Sequence, residues 1–244
     1  MVGKGGAGKS TVAATIARAW AAAGRQVLAI DLDTNPGLAL SLGLGLSDAG
    51  LPEEAVEAAE AVAYGHRLRT GLTAAEAVRL YSAAAPDGVR FLQIGNIDRA
   101  QHTVARNVTA IRAILRSFDS PDWSVVADLE AGPTTPYEGY ADFAQLALLV
   151  VEPATASLLA ARRLAPILTH QKLAFRVLGN QVRDRRGRDD IRRLATELGA
   201  ELAGLIAYDP ILADADRLGL APADHAPNSP AVRALRRLAT MLAP

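Results

Sequence analysis

The chain reads as an α/β protein: a mostly parallel β-sheet flanked by helices on both faces, within one domain covering residues 1–244. Three observations predict this. The run Gly3-Lys4-Gly5-Gly6-Ala7-Gly8-Lys9-Ser10-Thr11 matches the phosphate-loop pattern G-x-x-x-x-G-K-[ST] at every fixed position. An apolar helical pattern (Val12, Ile16, Ala17, Trp20, Ala21) and then a buried-strand run (Val27-Leu28-Ala29-Ile30) follow it, in the order loop, helix, strand. Beyond them strands keep alternating with helices, which favours parallel strands covered on both sides.

Only Met1 and Val2 precede Gly3, so the first strand is cut short, either by the position of the start or by truncation. A version with a few more apolar residues ahead of it is expected to melt higher, because neighbouring strands would regain ladder partners. A helix over 10–23 ends near Gly24 and leads to a strand over 27–31. A loop and short helix occupy 36–43, and alanine-rich spacing with early acidic residues predicts helices over 52–63 and 73–84. Arg90-Phe91-Leu92-Gln93-Ile94-Gly95 reads as a strand over 90–95, followed by helix between Asp98 and Ser117. Strands over 123–128 and 145–152, a helix over 155–169 and a strand over 173–179 come next. A helix over 188–198, a short strand over 202–207 and helices near 210–218 and 229–242 complete the order. Residues 44–72 mix Gly, Asp, Pro and polar residues and are the expected flexible stretch.

Half of the 244 residues are hydrophobic, enough for a full core, and the net charge is zero. That balance argues against a strong overall field for nucleic acid or anionic membrane. The absence of cysteine excludes disulfides, thiolate metal sites and cysteine nucleophiles. No signal peptide or continuous bilayer-length apolar run is present, so the expected location is the cytoplasm.

In the phosphate loop the glycines let successive N–H groups turn inward on a phosphate chain, and the following helix offers its positive end to the same anion. Lys9 can reach the β- and γ-phosphates, and the Ser10 hydroxyl can ligate Mg²⁺. Lys4 is a second cation that this chemistry does not need, and its expected use is to reach a nucleotide held by a second subunit. Asp31 and Asp33 end the second strand, two residues apart and aimed at the carboxyl edge where parallel sheets bind ligands. One can hold a Mg²⁺-bound water while the other positions the attacking water; the bland reading is two solvated aspartates opening a loop. The strand over 123–128 delivers Asp128 to the same edge, suited to holding the shell around Mg²⁺. Gly132, shortly after it, would let a backbone N–H approach the γ-phosphate and sense its loss.

With these motifs, the chain resembles the deviant phosphate-loop ATPases, the group that includes the ParA and MinD positioning ATPases, the nitrogenase iron protein, the arsenical-pump ATPase and CooC. Their signature K-G-G-x-G-K-[ST] is Lys4 to Ser10 here. The resemblance implies a phosphate-loop NTPase fold of the SIMIBI type and a homodimer closed around ATP and Mg²⁺. In it Lys4 would cross to the partner's phosphates, Asp33 would orient the water, Asp31 and Ser10 would serve Mg²⁺, and Asp128 would be the switch II aspartate. The CooC branch is the most similar: Asp128-Leu129-Glu130-Ala131-Gly132 resembles its D-x-E-A-G and Val150-Val151-Glu152-Pro153 its V-V-E-P. Gly179-Asn180-Gln181 stands at the family's G-N-K, making Asn180 the implied adenine contact, and Tyr208-Asp209 resembles the following P-Y-D, adding Tyr208 to the nucleotide site.

Three departures stand out. The CooC C-x-C metal pair corresponds to a stretch from His102 to Asn107 with no thiol, so His102 reads as an ordinary polar residue at a helix start. Thr34 replaces the proline of D-x-D-P, and Pro133-Thr134-Thr135-Pro136-Tyr137 replaces the family's E-H-x-G-R. Six arginines and three aspartates interleave over 183–193, favouring a solvated helix edge over a DNA-binding patch. The basic amphipathic tail, with Val232, Leu235, Leu238, Met241 and Leu242 on one stripe, suits core packing better than a membrane surface. The expected activity is slow ATP hydrolysis by a nucleotide switch acting on a client protein, with a metalloenzyme under maturation as the implied client. The alternatives are a positioning ATPase that binds DNA, membrane or a scaffold, and a module that holds nucleotide without hydrolysing it.

Overall fold

The computed structural model describes residues 1–33, 37–47, 50–59, 66–94, 111, 114–115, 123–132 and 143–243. In chain order its elements are β1 (Val2–Gly3), α1 (Lys9–Ala22), β2 (Gln26–Leu32), α2 (Leu38–Leu42), β3 (Val56–Ala58), β4 (His66–Leu68), α3 (Ala74–Tyr81) and β5 (Ala83–Ala84). They continue with β6 (Arg90–Gln93), β7 (Trp123–Leu129), β8 (Ala147–Val151), α4 (Thr155–His170), β9 (Phe175–Val182), α5 (Arg185–Glu197) and β10 (Glu201–Ala207). Last come α6 (Pro210–Arg217), α7 (Pro222–His225) and α8 (Pro230–Leu242).

The strands form two four-stranded sets, β5-β6-β2-β7 and β1-β8-β9-β10, parallel throughout except where β5 meets β6. The two sets are joined beside the short β1, where the Leu129 N–H donates to the Met1 carbonyl and the Gly132 N–H to the Gly3 carbonyl. Gly3 is required there: its φ is +150°, and a Cβ would stand 2.4 Å from the Val150 carbonyl oxygen.

Side-chain alternation along the strands builds the two faces. Val27 and Ala29 of β2, Val126 of β7, and Leu148 and Val150 of β8 enter one apolar cluster with α1, α2 and α8. Leu28, Ile30, Leu32, Leu149 and Val151 point the other way and pack with α3, α4 and α5. Helices therefore cover both faces of a mostly parallel sheet, the architecture read from the sequence. The tail helix α8 buries Leu235 and Leu238 in the first cluster, each contributing about 1.5–3 kcal/mol, Val232 is also buried, and Trp20 Nε1 on α1 donates to the helix's Ala239 carbonyl. Met241, the outlier of the apolar stripe, is exposed.

Several boundaries move, and one element changes type. The helix expected over 52–63 is a short 3-10 turn at Glu53–Ala55 running into β3, which pairs antiparallel with β4. Cross-strand chemistry wins over alanine-rich helix spacing: Arg67 and Thr70 both bind the Glu57 carboxylate, and Val56 and Leu68 pack on the core. The supposedly flexible stretch thus carries a hairpin. The helix expected over 73–84 stops at Tyr81, and Ala83–Ala84 turns back along β6. Helix α5 begins three residues before the expected 188, because Asp184 caps it by accepting from the Gly187 N–H. Strand β9 runs past Gly179 to Val182. The helix expected from Asp98 to Ser117, with His102, lies mostly outside the described residues, as do Thr34 and the run 133–137. Among the described residues no helix is long and apolar enough to cross a membrane.

Candidate nucleotide site

The phosphate loop joins β1 to α1 and faces the carboxyl edge of the sheet. Gly8 is the N-cap of α1 with φ +86°, and a Cβ on it would stand 2.4 Å from Asn180 Nδ2. The backbone can follow that path only with glycine there. Lys9, Ser10 and Thr11 form the first turn of α1, with Lys9 buried. The carbonyls of Gly6 and Ala7 are turned outward, accepting from Gln181 Nε2 at 2.9 Å and Asn180 Nδ2 at 2.8 Å. Because C=O and N–H of a trans peptide point in opposite directions, pinning the Ala7 carbonyl aims the Gly8 N–H into the bowl of the loop.

Two neighbouring side chains can do this only because β9 is irregular. Gly179 pairs with Leu205 and Val182 with Ala207, so three steps along β9 match two along β10. The extra residue is a bulge, and Gln181 adopts the left-handed conformation within it, at φ +56°. In a regular strand Gln181 would face away from α1. Sequence reading singled out Asn180 and missed Gln181; no pattern in the sequence announces a bulge.

On the other side of the loop, alternation brings three polar residues into line. Gln93 of β6, Asp31 of β2 and Asp128 of β7 are register partners and all buried. Ser10 Oγ donates to Asp128 Oδ2 at 2.5 Å, while Asp128 Oδ1 is buried with no hydrogen-bond partner among the described residues. Asp31 is fully buried and accepts from the backbone N–H groups of Asp33, Gly37 and Leu38, at 3.0, 3.1 and 2.9 Å. Its carboxylate thereby draws the chain after β2 against the loop, so that a Cβ on Gly37 would lie 3.6 Å from Ser10 Oγ. Burial pushes the Asp31 carboxyl up to about 7, with the Asp128 charge adding to it, while the backbone donors pull the other way. Burial likewise raises Asp128, against the Ser10 hydrogen bond. Asp33 is half-buried beyond the end of β2. Gln93 was not foreseen; its Nε2 holds the Ser47 carbonyl and fixes the segment after α2. The available signal was a glutamine in phase with Asp31 at the end of an apolar strand.

Lys4 lies at the mouth of the loop. Its Nζ is 3.4 Å from Glu152 Oε1 and 3.2 Å from the Gly5 carbonyl of the same chain, partly exposed. Glu152 is itself placed by Ser157 Oγ, which accepts its N–H. Gly132, with φ +100°, donates its N–H to the Gly3 carbonyl. Tyr208 follows β10, its N–H bound to the Val182 carbonyl, and the Arg183 guanidinium lies 3.3 Å over its ring centroid.

Residues 1–222 match the model of the CobQ/CobB/MinD/ParA nucleotide binding domain. The chain belongs to this family. Like other MinD/ParA-type ATPases it carries the phosphate loop at the head of a mostly parallel sheet. It is 28% identical over 231 residues to an ATP-binding protein of Methanocaldococcus jannaschii, covering 90% of this chain and 88% of that one. It is 27% identical over 258 residues to the carbon monoxide dehydrogenase accessory protein CooC of Rhodospirillum rubrum, covering 93% and 89%. The septum site-determining protein MinD of Pyrococcus horikoshii, solved with Mg-ADP, superimposes with a TM-score of 0.71 at 20% identity, over 100% of this chain and 93% of that one.

Proposed function

We propose that this MinD/ParA-family member is a Mg²⁺-dependent ATPase whose two copies close around ATP and separate after hydrolysis. The observation that carries the reading is the Ser10–Asp128 pair at the foot of the phosphate loop, with Asp128 Oδ1 buried and unmatched among the described residues. A buried acceptor without a donor fits a water in the shell of a divalent cation, and Ser10 Oγ fits a direct ligand. These residues would hold Mg²⁺, which supplies charge neutralisation on the transferred phosphate. Lys9 and the N–H groups opening α1 bind the phosphate chain, and Asp33 orients the attacking water. Asp31 acts by shaping the segment between β2 and α2 rather than by reaching the cation directly, since backbone donors occupy both of its oxygens.

Asn180 selects the base. Its Nδ2 is committed to Ala7, which leaves the amide oxygen as acceptor: it matches the exocyclic amine of adenine and repels the carbonyl of guanine. Lys4 is the cross-subunit cation. In one chain it rests on Glu152, a partly exposed pair of small worth, and a triphosphate carried by the second copy competes for it. The cycle is that of a slow switch acting on a client, and the likeness to a carbon monoxide dehydrogenase accessory protein supports a metalloenzyme as that client. The positioning alternative draws on α5 and α8, but three of the five arginines of α5, Arg185, Arg192 and Arg193, pair with Asp189 and Asp190 of the same helix and α8 is packed into the core.

Lys4→Ala tests the reading. It is expected to bind ATP like the parent, to stay monomeric with ATP in light scattering, and to lose about a hundredfold in phosphate release. Normal hydrolysis by a monomeric Lys4→Ala variant would falsify the paired mechanism.

A further inference from the structure

We propose that Arg183, held over the ring of Tyr208, is the shelf on which the purine base of the bound nucleotide stacks. The proposal rests on the ATP-site reading above and extends it to a residue outside the phosphate loop.

The order of strands along the carboxyl edge sets the direction of the nucleotide. Asp31 and Asp128, the carboxylates suited to the reacting end, sit on β2 and β7. The phosphate loop follows β1, whose other neighbours run β8, β9, β10. A triphosphate with its γ end beside Ser10 and Asp128 therefore sends its base towards β9 and β10. There Asn180 offers its edge-reading amide, and the next groups outward are Arg183 after β9 and Tyr208 after β10.

Arg183 and Tyr208 form a cation–π pair. The guanidinium carbon lies 3.3 Å over the ring centroid, and Arg183 is exposed, so the guanidinium is held by the ring on one side while the residue stays accessible to a ligand. Tyr208 is anchored by its N–H to the Val182 carbonyl, and the residues that follow Arg183 and Tyr208 are fixed as helix caps, Asp184 for α5 and Asp209 for α6. Arg185, Arg192 and Arg193 are each paired with an aspartate of α5, whereas among the described residues Arg183 makes no ion pair and is exposed. An arginine plane already stacked on an aromatic ring has lost much of its rotamer freedom, and guanidinium planes stack on bases. The chemistry recognised is a planar base, with a purine preferred over a pyrimidine for its larger face. Asn180 reads the edge and Arg183 supports the plane.

Titration calorimetry with Mg²⁺ separates the parts, using ATP, CTP and inorganic tripolyphosphate on the full chain. Arg183→Ala should weaken ATP about tenfold, narrow the preference for ATP over CTP, and leave tripolyphosphate unchanged. Arg183→Lys keeps the charge without the plane and should behave like alanine. Tyr208→Leu, which removes the platform and leaves Arg183 in place, should show the same pattern and guards against misfolding of one variant. A parallel loss for ATP and tripolyphosphate, restoration by lysine, or an unaltered ATP affinity in Arg183→Ala overturns the shelf. Lys9→Ala serves as the control for the site: if it loses all three ligands while Arg183→Ala loses none, the shelf alone is wrong. If wild-type protein binds none of them, the ATP-site reading fails and takes the shelf with it.

Discussion

Asp31 and Asp128 are side by side, buried, and both raised above the usual carboxylate range by burial. A carboxyl whose folded-state pKa exceeds its unfolded value holds its proton longer in the folded chain. Its stabilising effect is complete below the unfolded value and is lost as pH rises through the folded one, about 7 for Asp31. Without divalent cation the melting temperature should therefore fall between about pH 4 and about pH 7. Asp128→Asn should flatten that fall, because it removes one buried charge and relieves its neighbour, and it should abolish phosphate release. A melting series in EDTA checks the first point, and an undiminished slope in the variant contradicts it. Asn180→Ala removes the donor that holds the Ala7 carbonyl and should cost about 1–3 kcal/mol in urea unfolding, with ATP affinity falling alongside. Gln181→Gly loses a side chain yet relaxes a left-handed backbone, so its stability should stay within about 1 kcal/mol of the parent while ATP binding weakens.

At the level of elements, α1 must be held firmly enough to present its first turn to an anion. Arg18 does this from the far side of the helix: it is buried, grips Asp224 of α7 with two hydrogen bonds of 2.8 and 2.7 Å, and reaches Asp87 at 2.6 Å. Arg18→Ala should lower unfolding stability by about 1–3 kcal/mol, with the two carboxylates exposed enough to limit the loss. Elements of this kind were unequally legible in the sequence. Helix α1, the buried strands β2, β7 and β8, and the carboxylates at their ends follow from apolar runs and fixed motif spacing. The β3–β4 hairpin was misread as helix, since alanine-rich spacing is ambiguous and the Glu57–Arg67–Thr70 contacts that decide it join residues ten or more apart. Gln93 and Gln181 stayed hidden for a similar reason: each acquires meaning from its neighbour across the sheet.

For the whole molecule, the two apolar clusters leave the carboxyl edge as the place where loops from separate strands converge, and the proposed cycle uses that edge as a joint between copies. Asp33→Ala is expected to bind ATP, pair and then remain paired, giving a stable ATP-dependent dimer in size exclusion with little phosphate release. Rapid dissociation of that variant would place the water-orienting role elsewhere. The surplus residue in β9 carries a consequence for how an edge of this kind can change. A ribbon with alternating sides turns over whenever its length changes by one, so a lineage could exchange which amides hold the carbonyls of the phosphate loop by gaining or losing a single codon, leaving every neighbouring letter intact. Recognition at this edge is then partly a matter of counting, and relatives that keep both amides but differ in strand length would present them to opposite sides.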